Sequence, residues 1–210
     1  MAKKSGNFFS VNEKRRIEAA VEEAEKQTSG EIVPMVVGAA YDYPRAEIIG
    51  GGFFALAFAS LISWWWWHAS LWAFLPAFLL LYLPCKWVVR FVPALKKRLI
   101  AEVEIDAEVE EKAMVSFVEQ GLHHTRDNTG ILILICLFEH RVEVLADRGI
   151  NALVPKETWQ EIVTTVTDGL RRGQACDALC QAIGRCGELL TEQFPIREGD
   201  TDELPNLIID

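Results

Sequence analysis

Charged side chains are absent from a long central part of this sequence. Between residues 48 and 85 there is no Asp, Glu, Lys or Arg, a run of 38 residues. Uncharged runs of this length are typical of membrane spans, and two helices of about 19 residues would each rise about 28 Å, close to the hydrocarbon thickness of a bilayer. We therefore expect a transmembrane helical hairpin over residues 48–89, with spans at 48–66 and 71–89 and a turn at 67–70. The alternative is a buried core hairpin of a soluble protein.

Four consecutive tryptophans, Trp64 to Trp67, lie where the first expected span ends. Adjacent helix positions point about 100° apart, so one packed face cannot bury all four indoles. Tryptophan is enriched at the membrane–water boundary, where the ring stays among headgroups and its N–H finds a partner. The four tryptophans therefore predict the far end of the hairpin, at the opposite interface.

Basic residues are missing from the expected turn but frequent on the flanks of the hairpin. They are Arg45 before the first span and Lys86, Arg90, Lys96, Lys97 and Arg98 after the second. The positive-inside rule then predicts a multi-pass protein of the inner (cytoplasmic) membrane, with both termini and the soluble domain in the cytoplasm. The first sixteen residues, MAKKSGNFFSVNEKRR, lack an apolar stretch, so we expect no signal peptide. The five cysteines lack the spacing of a disulfide framework, which agrees with a reducing compartment.

Several functional classes lack support in this composition. The net charge is −9 and the soluble part is distinctly acidic, which argues against nucleic acid as a partner. The sequence contains no Walker loop, no G-x-S-x-G, no H-E-x-x-H and no cysteine in a phosphate-loop pattern. The expected partners are the lipid bilayer and, through it, other membrane proteins.

Outside the hairpin, helix and strand patterns alternate. Ser10 to Glu13 form a capping box that opens a helix ending near Gln27, and residues 31–38 form a strand in which Pro34 suggests an edge position. A long helix is expected over residues 95–120, with Leu99, Val103, Ala107 and Phe117 facing inward. The apolar run 131–138 predicts a strand covered on both faces, which forms an antiparallel hairpin with residues 142–145.

Two further helices complete the chain, one opened by Pro155 and ended by Gly173, the other over residues 175–194. The fold class is therefore α/β, a small mixed β-sheet covered by helices with an inserted transmembrane hairpin. We divide the chain into an N-terminal part of the domain (1–47), the hairpin (48–89), the remainder of the domain (90–196) and an acidic, mobile tail (197–210).

Polar motifs adjoin three strands and form the candidate ligand-binding site. If the first two strands are parallel and the third is antiparallel to the second, all three motifs meet at one end of the sheet, facing away from the membrane. The candidate residues are Thr28, Ser29, Glu31, Arg126, Asp127, Asn128, Asp147 and Arg148.

Two chemistries are open for these residues. Glu31, Asp127 and Asp147 can hold a hard divalent cation such as Ca²⁺ or Mg²⁺, while Arg126 and Arg148 can pair with a phosphate or with those carboxylates. The structural alternative is that Asp-Asn-Thr-Gly is ordinary turn chemistry and that Arg–Asp pairs hold loops.

Histidines and cysteines are weaker candidates for a site. His123 and His124 are adjacent and diverge in direction, so a solvated helix end is favoured over a metal site. Cys176 and Cys180 share a helix face but have no histidine beside them, and Cys136 lies in a buried strand. We expect all three cysteines to behave as small hydrophobes.

At this point the sequence resembles a known family. The segments TSGEIVPMVV, DNTGILILICLFEHRVEVLADRGI and VPKETWQEIV resemble the TPM domain family, and the early interruption by two spans resembles a bacterial membrane subgroup of it. The resemblance implies a compact α/β sandwich, with acid phosphatase activity in some members and Ca²⁺ binding or assembly and repair of membrane complexes in others. It implies Glu31, Asp127, Asn128 and Asp147 as the matching positions. Many relatives are exported, whereas the charge pattern here predicts a cytoplasmic domain.

Two functions and one structural alternative follow. The favoured hypothesis is a membrane-anchored, cytosol-facing interaction, assembly or maintenance factor for membrane complexes. The alternative is a metal-assisted, acid-phosphatase-like hydrolase that uses the acidic cluster, with an arginine stabilising developing charge. The third is a cluster that only holds loops in place.

Overall fold

The computed structural model describes residues 5–67, 70–125, 128–196 and 204–210. The elements in chain order are α1 (Val11–Glu25), β1 (Glu31–Val37), α2 (Pro44–Trp67), α3 (Leu71–Phe91), α4 (Pro93–Arg98), α5 (Glu102–Glu119), β2 (Gly130–Cys136), β3 (Arg141–Ala146), α6 (Arg148–Asn151), α7 (Lys156–Arg172), α8 (Ala175–Gln193) and β4 (Ile208–Ile209). Single 3₁₀ turns lie at Ser5–Asn7 and Leu122–His124. Residues 41–105 form one compact unit, the hairpin unit, and the other described residues form the sheet unit.

The sheet unit contains a mixed sheet with the strand order β3-β2-β1-β4. β1 and β2 are parallel, with Glu31 opposite Gly130, and β2 and β3 are antiparallel. Both pairings confirm the sequence prediction of a mixed α/β fold. Every residue of β2 is buried, as its apolar run predicts.

The core of the sheet unit lies between one face of the sheet and the helices α1, α7 and α8. Ile131, Ile133 and Ile135 of β2 point into this core. Because side chains alternate along a strand, Leu132 and Leu134 are buried on the opposite face. The core also takes one apolar stripe from each of the three helices, namely Ile17 and Val21, Ile162 and Val166, and Leu179, Ile183, Cys186 and Leu190.

The capping box at the start of α1 is confirmed. Ser10 Oγ accepts a hydrogen bond from Glu13 N at 3.3 Å, and Glu13 Oε2 accepts one from Ser10 N at 2.8 Å. The hydrogen bonds from the Ser10 side chain and backbone lower the pKa of Glu13 from its usual range. The glycine cap of α7 is confirmed as well, because Gly173 has φ 73°.

The edge position predicted for β1 is wrong for the second half of the strand. The chain's last residues return to the sheet, and Ile208 and Ile209 pair in parallel with Met35 and Val36 of β1. Asp210 N also donates to Val36 O at 3.0 Å. The expectation of a mobile tail is therefore wrong for residues 208–210, while residues 197–203 lie outside the described residues.

The single long helix predicted over residues 95–120 is also wrong, because residues 99–101 are not helical and separate α4 from α5. The three basic residues in the last turn of α4 and the acidic first turn of α5 each favour a helix terminus there, since they oppose the helix dipoles. The inward face of α5 differs as well. Leu99, Val103 and Ala107 are exposed, whereas Phe117 is buried as predicted, together with Ile105, Val109 and Ala113.

The hairpin unit is built on α2 and α3, which have 24 and 21 residues and are each longer than 30 Å at a rise of about 1.5 Å per residue. Both are long and apolar enough to cross a membrane. Small residues of α2 form their contact. A Cβ at Gly51 would lie 2.8 Å from Lys86 Cα, and Ala55, Ala59 and Ser63, all buried, continue that face at four-residue spacing. Of the predicted turn, residues 68 and 69 lie outside the described residues.

Candidate functional site

The three polar motifs meet at one end of the sheet, as the strand directions predict. Glu31 N donates to Thr129 O at 3.2 Å, which joins the start of β1 to the start of β2. Asp147 N donates to Gly130 O at 2.9 Å, which adds the end of β3. We call this region the polar end of the sheet, comprising residues 28–31, 128–130 and 147–148.

One carboxylate oxygen of Asp147 has a structural role, and the other has no hydrogen-bond partner in the described residues. Its Oδ1 accepts a hydrogen bond from Arg148 N at 2.6 Å, so Asp147 is the N-cap of the short helix α6, which the sequence analysis did not predict. Its Oδ2 is buried and has no hydrogen-bond partner among the described residues. The side chain of Arg148 is exposed.

Thr28 and Ser29 differ in what their hydroxyl groups do. Thr28 Oγ1 donates to Phe194 O at 2.6 Å and accepts from Gly30 N at 3.1 Å, so it fastens the end of α8 to the start of β1. Ser29 Oγ is buried without a hydrogen-bond partner in the described part of the chain. Of this pair, only the Ser29 hydroxyl still has its proton free to donate to a ligand.

A threonine pair that the sequence analysis missed builds the loop before β2. Thr125 Oγ1 accepts from Thr129 N at 3.0 Å and donates to Leu122 O at 3.2 Å. Asn128 takes the left-handed conformation at φ 56° and its N–H donates to Thr125 O at 3.1 Å. The Asn-Thr-Gly sequence therefore acts as turn chemistry. Two predicted site residues of this loop, Arg126 and Asp127, lie outside the described residues.

Gly130 permits the close approach of this loop to the sheet. A Cβ at Gly130 would lie 2.7 Å from the backbone oxygen of Leu122, closer than real Cβ contacts come. The glycine is therefore required by the 3₁₀ turn Leu122–His124 that passes over the start of β2. A glycine at the first position of an apolar strand is the sequence signal of such an approach.

The carboxylates of the polar end give a partial metal site in the described residues. Glu31 is buried at the first position of β1, 8% exposed, and has a polar interaction of its own. The described ranges contain no group of three or more His, Cys, Asp or Glu placed to hold a metal ion. The expected set of Glu31, Asp127 and Asp147 includes one residue outside those ranges, so Ca²⁺ or Mg²⁺ binding stays a prediction.

The remaining histidine and cysteine candidates occupy structural positions. The rings of His123 and His124 are 3.8 Å apart between centroids, in the 3₁₀ turn. Cys176 Sγ lies 3.8 Å from Glu13 O, and Cys180 Sγ lies 3.8 Å from Arg16 O. Burial raises the pKa of Cys176 to about 11 and that of Cys136 further, so both are protonated thiols at neutral pH. Neither cysteine is therefore activated as a thiolate nucleophile.

Two cavities of the sheet unit lie apart from these residues. One of about 570 Å³ is a groove between α1 and α8, floored by Ala20, Ala24, Gly184 and Gly187. Another of about 310 Å³ lies beside the turn between α7 and α8, lined by Asp168, Arg172 and Asp177. Neither is lined by a residue of the polar end.

Comparison with known proteins supports the fold and gives a family match for part of the chain. No protein with a curated description matches the sequence. A solved structure, reported as "NMR structure of BA42 protein from the psychrophilic bacteria Bizionia argentinensis sp. nov.", is similar over 96% of this chain and 94% of that chain, with a TM-score of 0.58 and 21% identity. At this identity the likeness concerns the fold alone. Residues 87–189 match the family described as TPM_phosphatase: TPM domain, which confirms the predicted TPM resemblance for that part of the chain.

Proposed function

We propose that this is a membrane-anchored TPM-like protein that serves as a cytosol-facing interaction, assembly or maintenance factor for membrane complexes. The observation that carries the anchoring is the exposed apolar surface of α3. Only 6% of the most apolar part of α3 is buried, whereas the core helix of a soluble protein would be mostly buried. Trp72 is 87% exposed and Leu80 is 74% exposed. Contiguous apolar surface of this kind is favourable in lipid and costly in water.

Aromatic side chains at both ends of the hairpin support the same proposal. Trp64, Trp65 and Trp72 are more than 60% exposed near the connection between α2 and α3. At the other end of α3, Trp87 is 64% exposed and Phe91 is 71% exposed. Tryptophans near both ends of a long apolar helix pair are the arrangement expected where the ends lie at the two membrane–water interfaces.

The orientation and the role rest on charge. The basic flanks of the hairpin favour a cytoplasmic location for both termini and for the sheet unit. The hairpin unit has six Lys and Arg against four Asp and Glu, so its net charge is +2 and the rest of the chain carries −11. An acidic domain on an anchor is suited to holding a protein partner near the membrane, through complementary charge.

A hairpin deletion tests both parts of the proposal. We expect the full chain to stay in the membrane fraction after extraction at alkaline pH, because the apolar area of α2 and α3 remains in lipid. A variant with residues 41–100 replaced by a Gly/Ser linker should be released and should melt cooperatively, since the sheet unit has its own core. Proteins that copurify with the full chain in mild detergent should be lost from this variant. Release of the full chain itself would refute anchoring, and purification of the lone protein in several mild detergents would refute the assembly role.

The metal-assisted hydrolase is the second candidate, because Asp147 Oδ2 and Ser29 Oγ are buried at the polar end without partners in the described residues. We expect millimolar Ca²⁺ or Mg²⁺ to raise the melting temperature of the full chain. The shift should vanish in Asp147→Asn, because the amide retains the cap of α6 but carries no charge.

A control variant separates metal binding by Asp147 from its role as the cap of α6. Asp147→Ala removes the cap as well, and should lower stability relative to wild type by about 1 kcal/mol in chelator, where no metal contributes. If the wild-type protein shows no metal-dependent shift while Asp147→Ala is destabilised, the carboxylate only holds the loop and the hydrolase candidate fails.

A further inference from the structure

The base of the hairpin carries basic side chains that the protein itself leaves unpaired. Within the described part of the chain, Arg45, Lys86, Arg90 and Arg98 have no ion-pair partner, and all except Lys86 are exposed. Lys96 differs from them. Its Nζ lies 2.7 Å from Glu47 Oε1 and also donates to Asp42 O, and both side chains of this pair are nearly buried. We call the four unpaired residues the basic collar.

The three collar residues of α2 and α3, namely Arg45, Lys86 and Arg90, lie at one level of the hairpin. Gly51 of α2 is opposite Lys86 of α3, and Gly50 is opposite Val89, because a Cβ on either glycine would touch those residues. In an antiparallel pair this places Arg45 slightly beyond Arg90. Residues 45 to 51 of α2 cover about 9 Å along the helix axis. That height is close to the thickness of one headgroup layer, about 5–8 Å on each side of the hydrocarbon core.

Exposed apolar side chains share this level with the cations. Phe91 is 71% exposed and Val92 is 42% exposed, between Arg90 and the short helix α4. Trp87 lies beside Lys86 in the chain and is 64% exposed. Apolar and aromatic side chains interleaved with unpaired cations are typical of a segment lying in the interface of an anionic membrane.

We propose that the basic collar binds the phosphate groups of anionic lipids, so that the hairpin selects a shell of acidic phospholipid around its base. The inference rests on the anchoring proposed above and adds the class of lipid. Unpaired cations held at headgroup height attract anionic lipid because the local potential is negative and the dielectric constant is lower than in water. The net charge of +2 of the hairpin unit favours the same partner, although the whole chain is acidic.

The test measures lipid selectivity of the full chain in bilayers of phosphatidylcholine. Electron spin resonance gives the association of spin-labelled phosphatidylglycerol with the protein relative to that of spin-labelled phosphatidylcholine. We expect a several-fold preference for the anionic lipid, reduced by up to about five-fold for each cation removed. It should fall towards one in the double variant Lys86→Gln/Arg90→Gln and in wild-type protein at about 1 M salt, where screening acts within about 3 Å.

A matched control changes the same net charge elsewhere. Arg171 and Arg172 of α7 lie in the sheet unit and both pair with Asp168, at 3.7 and 4.0 Å. The double variant Arg171→Gln/Arg172→Gln should keep the wild-type preference. Equal association of the two lipids with a wild-type protein that resists alkaline extraction overturns the collar inference and leaves the anchoring intact. A protein that is released by alkaline extraction overturns the anchoring and the inference with it.

Discussion

Leu79→Arg is expected to abolish stable membrane insertion of the hairpin. The same change would have almost no effect on stability if α3 were exposed to water. Leu79 lies near the middle of α3 and is 71% exposed. If that exposed face is in lipid, an arginine near the middle of the helix costs about 2.5–3.5 kcal/mol on insertion scales, or roughly a hundred-fold in the inserted fraction. If the face is in water, an exposed Leu→Arg change is worth at most about 0.5 kcal/mol. The two environments therefore predict results that differ by about two orders of magnitude.

Val103→Arg is the matched control for this experiment. Val103 is 80% exposed at the start of α5, outside both apolar helices, so its replacement should change neither insertion nor stability. The measurement is the fraction of each variant that stays with membranes after alkaline extraction, together with the total amount produced. Equal membrane fractions for Leu79→Arg and Val103→Arg would mean that the exposed face of α3 lies in water.

Gly169→Ala should be strongly destabilising although alanine is the better helix former. Gly169 lies in α7, and a Cβ there would lie only 2.1 Å from the Cβ of Ala178 in α8. Neither atom belongs to a flexible side chain, so the two helices must separate at the point where they close the core of the sheet unit. We expect a loss of about 2 kcal/mol, seen as a melting temperature lower by about 4–8 °C.

Two further variants separate helix propensity from packing. Gly184→Ala places a methyl group in α8 where nothing lies within 4 Å, so it should stabilise the protein by about 0.4–1 kcal/mol. In the double variant Gly169→Ala/Ala178→Gly the clashing methyl group is removed, and most of the lost stability should return. If Gly169→Ala melts at or above the wild-type temperature, the close contact between α7 and α8 is wrong.

Local patterns predicted the elements whose formation is decided locally. The apolar run of β2, the capping box at Ser10 and the glycine end of α7 at Gly173 all appear where the sequence placed them. The mixed α/β class followed from these elements, because a strand–helix–strand order favours a parallel pair. The convergence of three motifs at the polar end followed from strand direction alone.

The failures occur where a distant contact or a neglected charge pattern decides the outcome. Strand β4 exists because Ile208 and Ile209 pair with β1, more than 170 residues away in the chain, and nothing local marks them as a strand. The break between α4 and α5 was encoded in the change from basic to acidic residues, a signal that apolar periodicity does not detect. At the polar end, the sequence predicted which residues come together, but not which of their side chains form hydrogen bonds within the protein. Only the structure distinguishes Thr28, whose hydroxyl proton is donated to Phe194 O, from Ser29, whose hydroxyl has no hydrogen-bond partner in the described residues.

The pairing of β4 with β1 has a consequence for self-association of the sheet unit. Pro34, in the middle of β1, lacks the N–H that an incoming strand would need. The next two residues, Met35 and Val36, are already paired with β4. Together they leave little of this edge open to a strand from another copy of the protein. Asp210 N also donates to Val36 O, so removal of residues 208–210 is expected to uncover this part of β1 as a template for intermolecular pairing.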